Sequence, residues 1–79
     1  MHSQKLAPID ANGVVLRPGM RVRILTIPDW LTHDLPQPDA ARLLEVKGTV
    51  MTIAKFDKFG YVWFDDWFCL KPDEIAVES

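Results

Sequence analysis

Hydrophobic and polar positions alternate most clearly between Met20 and Ile24, where Met20, Val22 and Ile24 are separated by Arg21 and Arg23. That period of two predicts a half-buried β-strand over about residues 20–27. Leu25 and Ile27 break the alternation, and Pro28, which has no N–H for a ladder, ends the strand. Residues 28–47 form a long connection with turns at Asp29-Trp30-Leu31 and Asp34-Leu35-Pro36. Pro38 and Asp39 suit the first turn of a short helix that runs to Glu45. A second strand is expected over Thr49 to Phe56, rich in β-branched residues. Asp57-Lys58-Phe59-Gly60 then makes a turn, Tyr61 to Phe64 a third strand, and Trp67 to Leu70 a fourth. Pro72-Asp73-Glu74 reads as a single helical or 3₁₀ turn, and Ile75-Ala76-Val77 as a closing strand. Before the first strand, Pro8, Asp10, Asn12 and Gly13 break any period, so residues 1–13 read as a loose lead-in and Val14-Val15-Leu16 as a short apolar patch against the domain; residues 1–18 make an N-terminal extension and 19–79 the domain.

The pattern is least ordinary in the hairpin. Seven of the chain's eight aromatic residues fall between Phe56 and Phe68, with Trp30 the exception. With Asp65 and Asp66 as a two-residue turn, Phe64 opposes Trp67, Trp63 opposes Phe68, Val62 opposes Cys69 and Tyr61 opposes Leu70. Opposed residues share a face, so both faces of the hairpin are apolar. Two adjacent acids suit a primed two-residue turn poorly, and a longer turn would re-sort Trp67 and Phe68 without removing the surplus of apolar residues. One fills a core. The other, carrying Tyr61, Trp63 and Phe68, needs a cover, which is either the chain itself, through residues 14–18 and Trp30-Leu31, or a partner. Tyrosine and tryptophan join large contact area to a polar tip, so Trp30, Tyr61, Trp63 and Phe68 are the candidate partner-binding residues.

Composition narrows the chemistry. With 79 residues, 48% of them hydrophobic, the chain makes one small domain. Cys69 is the only cysteine, so no intrachain disulfide is available, and with His2 and His33 isolated there is no metal-ligand spacing. No cofactor is expected. A net charge of −2 argues against a nucleic-acid binder. The alternative, in which Arg21, Arg23 and Lys55 contact phosphate while Tyr61 or Trp63 stacks on a base, follows the logic of KOW and Tudor domains. Thr32-His33-Asp34 and Cys69 supply residue types for a thiol nucleophile and base, but a cysteine alternating within an apolar strand is a small hydrophobe first, so no catalytic residue is expected. Met1 to Lys5 are polar and no apolar run approaches the roughly 18 residues of a membrane span. The expectation is a cytoplasmic protein, monomeric or weakly homodimeric.

The stretches Gly19-Met20-Arg21-Val22-Arg23-Ile24-Leu25, Gly48-Thr49-Val50, Val62-Trp63-Phe64 and Leu70-Lys71-Pro72-Asp73-Glu74-Ile75-Ala76-Val77 together resemble the SH3-like barrel superfamily. The resemblance covers about residues 19–78. It is similar to the barrels of photosystem I reaction-centre subunit IV, of the variable chain of ferredoxin–thioredoxin reductase and of the nitrile hydratase β-subunit. It implies an all-β, five-stranded closed barrel with a long first loop carrying a short helix. It also implies a non-catalytic interaction or assembly module, or an accessory subunit of a larger enzyme. The Ala-Leu-Tyr-Asp-Tyr-type motif of proline-binding SH3 domains is missing after the first strand.

Overall fold

The computed structural model describes residues 6–78. The expectations placed on Met1 to Lys5 lie outside them. Six short strands form two three-stranded antiparallel sheets, in the orders β2-β1-β6 and β3-β4-β5. β1 is Arg21–Ile24, β2 Val50–Thr52, β3 Lys55–Phe56, β4 Val62–Phe64, β5 Phe68–Leu70 and β6 Ile75–Val77. Two helices, α1 (Asp29–Thr32) and α2 (Gln37–Leu44), occupy the long connection, and a 3₁₀ turn at Pro72–Glu74 leads into β6.

The arginine alternation in β1 does what its period predicts. Val22 and Ile24 are wholly buried while Arg21 and Arg23 face outward. The single strand expected over residues 49–56 is instead two. Ile53 turns its backbone to the first sheet, donating to the Met20 carbonyl and accepting from Gly19, while Ala54 donates to Trp63 in the second. The chain therefore changes sheets between adjacent residues, and the buried Ile53 side chain lies in the core both sheets share. That core also takes Val62, Phe64, Phe68, Leu70 and Ile75, each worth roughly 1.5–3 kcal/mol when fully buried.

α2 begins behind Pro36, with Pro38 in its first turn where a missing N–H costs no helical bond. Leu43 is its single buried residue and anchors the helix in the core. The Asp29-Trp30-Leu31 turn is one turn of helix, α1, with no buried residue of its own. Such short helices persist only through tertiary contacts.

Residues 6–13 are not loose, and of the apolar patch at 14–16 it is Leu16 that packs against the domain. Leu6 donates to the Phe59 carbonyl, and Ala11 donates to Ile75 of β6. Leu16 is buried in the common core. Asp10, only 5% exposed, accepts from the N–H groups of Asn12, Val14 and Val77, each at 2.8 Å. Burial by itself would raise the Asp10 pKa, but the bonds from Val77, Val14 and Asn12 outweigh it and hold the carboxyl below its ordinary value. The segment thus straps the β3–β4 turn to β6. Gly60 makes room for the strap: at φ +92°, a Cβ there would stand 2.6 Å from the Leu6 carbonyl oxygen.

Candidate functional site

The β4–β5 hairpin differs from its expected register by one residue. Val62 pairs with Leu70, Trp63 with Cys69, and Phe64 with Phe68. The turn has three residues, Asp65, Asp66 and Trp67, with Asp65 at φ +56°, a left-handed conformation that aspartate tolerates better than most residues. A one-residue slip moves the residues of a strand to the opposite face. Val62, Phe64, Phe68 and Leu70 consequently share the core face, where Phe68 is 3% exposed and its ring stacks on Phe64 at 5.2 Å. Phe68 is therefore a core residue, and its expected place on the outer face beside Tyr61 and Trp63 is corrected.

The outer face carries Tyr61, Trp63 and Cys69, all half-buried. Trp30 reaches Tyr61 from α1, with ring centroids 5.9 Å apart and planes tilted by 53°. The Trp63 indole N–H donates to Asp57 Oδ2 at 3.1 Å, and Lys55 Nζ lies 5.8 Å from its ring centroid. Asp57 also accepts, through Oδ1, from the N–H groups of Phe59 and Tyr61. Burial opposes its charge, but the Trp63 indole and these two amides hold its pKa below the ordinary value. One carboxylate thus shapes the β3–β4 turn and fixes Trp63. Residues 14–18 do not supply a ring cover of the expected kind: Val14 and Val15 are exposed, and Leu16 enters the core.

Cys69 sits opposite Trp63. Burial, then the negative charges of Asp57 and Glu74, push its thiol pKa up, which disfavours the nucleophilic thiolate. His33 and Asp34 lie 3.8 Å apart on an exposed loop. Of the outward arginines of β1, Arg23 is engaged: it pairs with Glu78 at 2.9 Å and donates to the Gly48 carbonyl.

The three-residue turn also places Trp67 outside the sheet, 43% exposed, with its edge against Phe68 at 5.0 Å and 88°. There it forms one wall of a groove of about 360 Å³ between the hairpin and the helical connection. Leu43 and Phe68, both buried, make the floor with half-buried Leu31, and exposed Leu35 stands on the rim. Asp39 and Arg42 of α2 complete the lining, and the Arg42 guanidinium lies over the Trp67 ring at 5.2 Å. None of these groove residues belonged to the expected site except Phe68, which supplies its floor. The signal available in the sequence was Trp67 itself, because three-residue loops are common in hairpins and would have put this ring in the turn. A second groove of about 360 Å³ runs between Leu6, Ala7, Ile9 and the Lys71-Pro72-Asp73 segment.

No protein-family model, curated protein or solved structure matches the chain. Among the described residues, no helix is long and apolar enough to cross a membrane.

Proposed function

We propose that this chain is a non-catalytic interaction and assembly module whose contact surface is the Trp67 groove. The observation that carries this reading is an apolar trough, floored by core residues, with an exposed tryptophan wall braced by an arginine. Tryptophan and arginine are over-represented where interfaces concentrate their binding energy, above all in pockets that exclude water. Trp30 and Tyr61 extend the aromatic surface on the outer side of the hairpin, where Trp63 is already committed to Asp57. The raised thiol pKa of Cys69 supports a structural part for that residue. An SH3-like barrel is the fold reading that fits the element order of strand, long helical connection, bent second strand, hairpin, 3₁₀ turn and closing strand.

The test is chemical-shift mapping of the labelled protein with a partner captured from the native cell. Perturbations centred on Leu31, Leu35, Arg42 and Trp67, lost in a Trp67→Ala variant, are expected. Perturbations centred on Arg21 and Arg23, or capture that survives Trp67→Ala unchanged, would overturn this surface. Titration with short RNA and DNA at low salt is expected to leave the β1 amides unmoved, because Glu78 already occupies Arg23 and the chain's net charge of −2 offers Arg21 no basic surroundings.

A further inference from the structure

The groove carries charges as well as apolar walls, and their arrangement specifies an occupant. Asp39 and Arg42 are three residues apart on α2, hence about 4.5 Å apart along the helix axis and neighbours on its surface. Both line the groove and both are exposed, yet among the described residues neither forms an ion pair, with the other or with any other side chain. A partner that answers both must present a cation and a carboxylate at the same spacing in the reverse order, beside an apolar surface.

The chain itself meets that description. A two-fold axis perpendicular to α2, passing between Asp39 and Arg42, would bring Asp39 of each copy opposite Arg42 of the other. In such an isologous contact every interaction is made twice. The same axis would bring the exposed Leu35 and Trp67 walls of the two copies toward one another and remove them from water. We infer that the Trp67 groove is a self-association surface and that its occupant is a second copy of this chain, held by reciprocal Asp39–Arg42 pairs around a Trp67–Leu35 apolar centre. This inference rests on the reading of the groove as an interaction surface and names its partner.

Sedimentation of the full chain over a concentration series tests it. The wild type is expected to pass from monomer to dimer. Trp67→Ala should raise the dissociation constant on the order of tenfold or more, as loss of an interface tryptophan commonly does. Asp39→Lys and Arg42→Glu should each disrupt the dimer, since each leaves like charges face to face. The deciding measurement mixes these two variants. In the mixed dimer the lysine introduced by Asp39→Lys meets the glutamate introduced by Arg42→Glu. The unaltered Arg42 of the first copy meets the unaltered Asp39 of the second. An equimolar mixture should therefore form a heterodimer, whereas neither variant dimerises alone. A wild type that stays monomeric at millimolar concentration overturns self-association, while leaving the docking reading to its own partner-mapping test. A dimer indifferent to the single variants, or a mixture that fails to recover it, overturns the reciprocal pairing. Circular dichroism of each variant, expected to match the wild type, separates lost association from lost folding.

Discussion

Trp63 and Trp67 stand four residues apart on the same hairpin and are held in opposite ways. Trp63 lies on the outer face of β4, half-buried, with its indole N–H bonded to Asp57 and the Lys55 ammonium near its ring. Trp67 lies in the turn, more exposed, with Arg42 over its face, Phe68 at its edge and a groove in front of it. Among the described residues its indole N–H has no protein partner, while that of Trp63 has a carboxylate. An aromatic whose polar tip is satisfied within the fold contributes to stability. One whose apolar face borders a trough leaves that area exposed to solvent. Aromatic density along the chain does not separate the two cases; the backbone geometry of one turn does.

The sharpest way to break the comparison is at the residue that links its two halves. Phe68 stacks on Phe64 in the core and supports the edge of Trp67. Phe68→Ala is expected to cost about 3–5 kcal/mol of unfolding free energy, in the range of buried Phe→Ala changes, measured by urea denaturation. In a domain this small, such a loss leaves little residual stability. A cost below about 1 kcal/mol, far under the range for a buried ring, would mean that Phe68 lies on the outer face after all, and the hairpin register would have to move by one residue.

Asp10 tests the strap on the far side of the molecule. Asp10→Ala leaves the N–H groups of Asn12, Val14 and Val77 without their acceptor, which is expected to cost about 1–3 kcal/mol. The sign of its pH dependence follows from a pKa depressed in the folded state. The contribution is fully present above the ordinary aspartate value of 3.8 and is lost as pH falls through the lower folded value. Asp57 has the same sign. Acid unfolding monitored by tryptophan fluorescence should therefore set in below about pH 4, and Asp10→Asn should flatten its slope.

The residues that resisted reading from sequence share a physical cause. The Arg21-to-Ile24 alternation, the Pro38 entry to α2 and the Pro72 turn are local signals, and each element forms where its own residues place it. The hairpin register depends on whether the turn has two residues or three. Asp65-Asp66 lacks the Asn-Gly or Asp-Gly signature that would decide it, and the left-handed Asp65 is a conformation aspartate permits without demanding. Asp10 looks like a loop residue because one of its three donors, Val77, lies 67 positions away. The groove was hidden for a related reason. Leu31, Leu35 and Arg42 belong to a connection without a continuous period, and only the fold brings them to Trp67.

The two tryptophans can be separated directly by weakening what holds each. Asp57→Ala removes the acceptor for the Trp63 indole and for the Phe59 and Tyr61 amides; on a partly exposed site it is expected to cost about 1–2 kcal/mol and to shift the Trp63 indole resonance. Trp67→Ala removes the aromatic contact to Phe68, the Arg42 contact and the buried part of the ring, and is expected to cost about 1–2 kcal/mol. It should leave the Trp63 indole signal in place. If Trp67→Ala shifts the Trp63 indole signal as Asp57→Ala does, the two rings form one packed unit, and the trough beside Trp67 is a packing defect. If Trp67→Ala stays folded with the Trp63 indole signal in place while failing to associate, the ring is dispensable to the fold that positions it, and its reason for standing exposed lies in what it touches outside this chain.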